Sequence, residues 1–169
     1  MPKPIRIFVR YIDAVSNTIG TLTMYLVFLM IGILLFAALS RTVFDVPHIW
    51  VVEMAEFTMA AYYLLGGAYS MNLKAHVRMD LLYGRWSPKR QAVTDMITSV
   101  FLIFYLVVLL IGAISSTEYA IQYGQKNYSS WAPRLAPIKV VMTIGIILML
   151  LQSVATFFKD LAKARGETL

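Results

Sequence analysis

The chain has 169 residues, of which 59% are hydrophobic and 14% charged, with a mean hydropathy of +0.70. Soluble domains carry charge at close to a quarter of their positions, so this composition excludes an ordinary soluble protein and points to an integral membrane protein. The lack of cysteine removes disulfides, thiol nucleophiles and iron–sulfur ligation, and the net charge of +6 fits basic loops beside a bilayer better than nucleic acid binding.

In chain order, residues 5–17 place Arg6, Arg10, Asp13 and Asn17 at steps of four, three and four, with Ile5, Phe8, Val9, Ile12 and Val15 between them. That spacing predicts an amphipathic helix lying in the membrane interface. A cleaved signal peptide competes, since basic residues precede an apolar run and Ala38-Leu39-Ser40 resembles a cleavage site, but the run is too long for a signal sequence. A first span over residues 18–39 has no charged residue and meets Arg41 at its outer edge, within reach of headgroups or a neighbouring acid. Asp45 is expected to cap the next helix, Pro47 to open it, and Trp50 to mark the interface.

The second span, residues 50–73, has about 24 residues and a length of roughly 36 Å, enough to cross a bilayer. It carries Glu53 and Glu56, followed at helical spacing by Ala60, Tyr63, Gly67 and Ser70. A lipid-facing carboxylate costs about 2 to 3 kcal/mol, so this stripe is expected to face protein. Glu53 and Glu56 are candidates for ion pairs with Arg41, Lys139 or a partner's cation; for Glu53, the helix dipole and wet headgroups are the simpler explanation. Gly66, Gly67 and Ser70 suit close helix approach, within the bundle or to another subunit. Lys74, His76, Arg78 and Asp80 then form a polar inner turn, with His76 expected as an interfacial hydrogen-bonding group, before Ser87-Pro88 restarts helix.

The third span, residues 94–117, ends at Glu118 and passes into an aromatic outer connection of Tyr119, Tyr123, Tyr128 and Trp131, closed by Pro133 and Pro137. The fourth, residues 137–158, carries Lys139 one turn inside its outer end, positioned to snorkel outward or to pair with Glu53 or Glu56. Residues 159–169 read as a cytoplasmic tail. Of the fifteen Lys and Arg, only Arg41, Lys126, Arg134 and Lys139 fall on the outer side, which by the positive-inside rule makes both termini cytoplasmic. The expectation is a single all-α membrane domain over residues 1–169 with four spans.

An autonomous secondary transporter needs coupling groups near the bilayer middle and helices broken by Gly or Pro; here the six prolines lie outside the span centres and the charges sit toward the edges. The two histidines, His48 and His76, stand at opposite ends of one helix, roughly 42 Å apart by helix rise, so one haem cannot join them. Two histidines without cysteine also leave too few ligands for zinc. No enzyme, cofactor or metal site is expected, and the chain reads as a scaffold or accessory subunit.

Arg41 after the first span, Pro47, Trp50, the pair Glu53 and Glu56, Gly66-Gly67-Ala68, His76-Val77-Arg78 with Asp80, and Ser87-Pro88 follow one another in an order that resembles the small membrane subunit (DctQ-like) of tripartite ATP-independent periplasmic (TRAP) transporters. The resemblance covers nearly the whole chain. It implies a bacterial inner-membrane protein that binds a large membrane subunit holding the sodium and substrate sites. It also implies a periplasmic binding protein that delivers a carboxylate such as a C4-dicarboxylate, another organic acid or sialic acid. The outward cations Lys126 and Arg134 are candidates for touching that binding protein, and membrane lipids would surround the whole. Two other possibilities stand beside it: a self-sufficient small oligomeric transporter with Glu56 as coupling acid, and a respiratory membrane anchor with a quinone pocket near His76 and Tyr83.

Overall fold

The computed structural model describes residues 3–73 and 86–165. Four helices account for most of them: α1 (Lys3–Val43), α2 (Trp50–Asn72), α3 (Pro88–Gln122) and α4 (Ala136–Ala164). In order of sequence they alternate in direction, so the start of α1 and the end of α4 lie at one end of the bundle. α1, α2 and α4 pack against one another, whereas α3 packs on α4 and stands outside the other two.

α1 runs for 41 residues without interruption, so the separate interfacial helix over residues 5–17 and the boundary at residue 18 are not found. The helix absorbs the hydroxyls at and beyond the expected boundary: those of Thr18, Thr21 and Thr23 donate to the carbonyls of Ala14, Asn17 and Ile19 at 3.0, 2.8 and 2.7 Å. Nor does the apolar face of this stretch lie open. Val9 and Ile12 form a buried cluster with Ala155 of α4, flanked by Phe8, Leu151 and Phe158. α4 in turn continues past residue 158 to Ala164 and buries Asp160 and Ala162, so the first residues of the expected tail belong to the bundle.

At the start of α2, Ile49 occupies the cap position and makes no side-chain cap bond. Asp45 instead sits in the preceding turn with a left-handed φ of 52°, a conformation that short polar side chains tolerate, and Pro47 precedes the helix. α3 begins as expected, with Ser87 in an extended conformation and Pro88 at the first helical position, where no N–H is needed.

α1, α4 and residues Val93–Gln122 of α3 are each long and apolar enough to cross a membrane. α2 is not among them; its 23 residues reach about 35 Å, but they include Glu53, Glu56 and three tyrosines.

Two glycines let the three-helix seam close. A Cβ on Gly145 of α4 would stand 2.9 Å from the carbonyl carbon and oxygen of Leu64 on α2, and one on Gly20 of α1 would occupy the position of the Tyr69 ring. The first is a backbone approach and the second a ring packed onto the helix surface, and each uses the space of a missing side chain.

Candidate functional site

Polar side chains concentrate where the N-terminal part of α1 meets the C-terminal ends of α2 and α4. Asp13, Ser16 and Asn17 are three and four residues apart and so share one face of α1; Gln152 and Lys159, two turns apart, share one face of α4. Ser16 Oγ donates to Gln152 Oε1 at 2.6 Å, and Gln152 Nε2 donates to Asp13 Oδ1 at 3.0 Å. Lys159 Nζ then bridges Asp13 Oδ1 at 2.7 Å and Asn72 Oδ1 of α2 at 3.1 Å, while Asn72 Nδ2 donates to Asn17 Oδ1 at 3.0 Å. Ser16 and Gln152 are buried; Asp13 and Lys159 are each about a quarter exposed. These contacts tie α1, α2 and α4 together as a clamp across three helices. The sequence reading placed Asp13 and Asn17 on a headgroup face and Lys159 in the tail. The signal for the clamp was a lone Gln152 in an otherwise apolar span.

At the other end, Ser40 Oγ and His48 Nε2 are 2.9 Å apart, and the His48 ring stacks on Phe36 at a centroid distance of 5.2 Å. Trp50 also stacks on Phe36, at 6.2 Å. The turn between α1 and α2 is therefore folded back onto α1, and Trp50 is part of that packing.

The expected charge pairs do not form. Lys139 turns toward α3, donating to Gln125 Oε1 at 2.7 Å, Ser116 Oγ at 2.9 Å and the Ser116 carbonyl at 3.3 Å. Arg41, Glu53 and Glu56 make no ion pair among the described residues, and the expected common stripe is split. Glu53 is buried at 5% exposure with Oε2 lacking a hydrogen bond, whereas Glu56 is exposed beside Val52, Met59 and Tyr63. α2 is gripped from two sides, by α1 and α4, and Glu53 turns inward while Glu56 faces out.

Of the small residues, Gly67 packs against Met149 of α4, with Sδ 2.8 Å from a Cβ at that position. Gly66 faces Thr23 of α1 with ordinary clearance, 3.7 Å. Together with Ser70 they line a groove of about 410 Å³ between α1 and α2 that also borders Gly20 and Tyr62.

In the outer connection, Lys126 and Arg134 face each other across an antiparallel bridge, held by Asn127 N–H donating to the Pro133 carbonyl and Leu135 N–H to the Gln125 carbonyl, each at 2.9 Å. Both are exposed. Like charges set opposite each other on a ladder repel, so this rung presents concentrated positive charge outward. His76, Arg78 and Asp80 lie outside the described residues. Among the described residues, no group of three His, Cys, Asp or Glu side chains comes together as a metal site requires.

Long apolar helices, a clamp that joins them, and polar groups directed to helix packing define a helical membrane protein that holds an arrangement. Residues 30–163 match the sequence profile of the DctQ component of tripartite ATP-independent periplasmic transporters, and the chain belongs to that family. It is accordingly the small membrane subunit of a TRAP transporter, a transporter component rather than an enzyme, working with a large membrane subunit and a periplasmic binding protein. No curated protein matches the chain.

Proposed function

We propose that this subunit is a non-catalytic brace for the large transport subunit. It would be set in the bacterial inner membrane with four spans, α2 included, and both termini in the cytoplasm. The large subunit would carry the sodium and substrate sites and take up a carboxylate, whether a C4-dicarboxylate, another organic acid or sialic acid, delivered by the binding protein.

The observation that carries the proposal is Glu56. By helix rise it lies about 9 Å past Trp50, exposed on an apolar face of a chain that offers it no cation among the described residues. Left in lipid, such a carboxylate costs about 2 to 3 kcal/mol or protonates; a Lys or Arg on the neighbouring subunit relieves that cost. Glu53, turned into the bundle, does not reach a partner. The clamp at the inner ends then gives the brace its stiffness, because Asp13, Asn72 and Lys159 resist splaying of the three helices when the partner moves. The paired cations Lys126 and Arg134 suit an acidic patch on the docked binding protein.

Copurification in mild detergent tests the contact. Wild-type chain is expected to retain the large subunit, and Glu56→Lys to lower its recovery about ten-fold while leaving the chain's own melting temperature unchanged. Full recovery with Glu56→Lys would remove α2 from the interface.

A further inference from the structure

Between α3 and α4 lies a second groove of about 410 Å³ whose two ends differ in chemistry. Toward the outer end are Lys139, Ser116 and Thr143; below them the walls are Val108, Leu109, Met142 and Ile146. Tyr105 and Thr117 mark its extremes along α3, twelve residues or about 18 Å apart by helix rise. Half of a typical hydrocarbon core is about 15 Å, so the groove runs from the interface to the middle of the bilayer. That is the length of one leaflet.

Among the described residues the ammonium of Lys139 has no counter-ion. Its three acceptors, Gln125 Oε1, Ser116 Oγ and the Ser116 carbonyl, are all neutral, and Glu118, two residues from Ser116, accepts from Gln122 instead. Ser116 is exposed, and its hydroxyl, which accepts from Lys139, keeps its own proton for a second acceptor. Thr143 and Thr117 bond each other across the groove at 2.9 Å, and the hydroxyl that accepts in that bond donates its own proton to the Lys139 carbonyl. One cation with neutral acceptors only and a free hydroxyl donor, at the mouth of an apolar channel one leaflet deep, suits an amphiphile with an anionic head.

The geometry points to a binding site for one anionic phospholipid, its phosphate at Lys139 and Ser116 and an acyl chain along the groove toward Tyr105. A carboxylate from a partner helix would satisfy the charge but would leave the lower groove unexplained; a free phosphate would leave it empty. The site uses α3 and α4 alone, so it stands or falls separately from the bracing role argued through Glu56.

Native mass spectrometry of the full chain in detergent, titrated with phosphatidylglycerol and with phosphatidylcholine, tests it. Wild type is expected to prefer phosphatidylglycerol about five-fold, the effect of one interfacial cation on an anionic lipid. Lys139→Gln should abolish the preference and Lys139→Arg should keep it. Gly112→Leu, at a position whose Cβ meets nothing within 4 Å, should fill the groove and weaken both lipids while the melting temperature holds. Equal affinity of wild type for the two lipids would overturn the assignment, as would phosphatidylglycerol binding that ignores both Lys139→Gln and Gly112→Leu. Displacement of the lipid by glycerophosphoglycerol at equal concentration would also overturn it, since the chain would then contribute nothing. If Lys139→Gln fails to fold, Lys139→Arg and Gly112→Leu decide between the same outcomes.

Discussion

The inner seam of α1, α2 and α4 and the outer flank formed by α3 are made of the same kinds of residue and end up in opposite conditions. At the seam, Ser16, Gln152 and Ala155 are almost wholly buried, Gly145 admits the Leu64 backbone and Gly20 the Tyr69 ring, and each polar group in the clamp meets another. Along α3, Phe101, Phe104 and Ile111 stand about two-thirds exposed, and Leu106 and Ala120 are the few apolar side chains it buries. Membrane helices gain little from burying apolar surface against each other, since lipid is equally apolar; close packing and interhelical hydrogen bonds decide which faces join. The seam has both of these on three helices, whereas α3 has them on one face only, through Thr117 with Thr143 and Ser116 with Lys139 of α4, and keeps the rest of its surface apolar. The seam is complete within this chain, and the flank is left to lipid or to a neighbouring subunit.

Substitutions should separate the two regions sharply. The largest effect is expected from Gly145→Leu, which drives a side chain into the Leu64 backbone: overpacking of about 3 kcal/mol, read as a loss of melting temperature or of folded yield. Next, Asp13→Ala removes the acceptor shared by Lys159 and Gln152 and should cost about 2 kcal/mol, because hydrogen bonds to charged groups are among the stronger ones. A double-mutant cycle with Lys159→Ala should return a coupling near 1 kcal/mol, whereas a coupling of zero would dissolve the clamp. Smallest is Phe104→Ala on α3, which should change the stability of the isolated chain by less than about 0.5 kcal/mol, as exposed positions do. A large loss there would mean that α3 has a packed face within this chain that the structure does not contain.

The type and order of the four long helices were legible in the apolar runs, and Ser87-Pro88 announced the start of α3, but the fifth, interfacial helix expected over residues 5–17 is the first part of α1. The misplaced boundaries share a cause. A change from amphipathic to uncharged patterning suggests an end near residue 18, but a helix already formed continues through it and returns threonine hydroxyls to its own carbonyls, and Lys159 is held in the bundle by an acid 146 residues away. That pairing follows from topology, since alternating helices put both ends on one side, yet composition alone gives Lys159 no address. The split between Glu53 and Glu56 has another origin. Three residues turn a helix by about 300°, leaving neighbours about 60° apart, and α2 is flanked by two helices whose seams do not extend over the whole of that arc. Periodicity identifies a stripe but not how many partners the helix has, so whether both acids share one environment is decided by packing. The cation pair Lys126 and Arg134 was visible as two outward charges; that they share one rung depended on a bridge without any strand signal.

The bracing account is tested most directly by sodium-driven uptake in proteoliposomes. The large subunit, this chain and the loaded binding protein together should accumulate the carboxylate, and this chain alone should give no uptake above that of empty vesicles. Sodium-dependent accumulation by this chain alone would contradict the account.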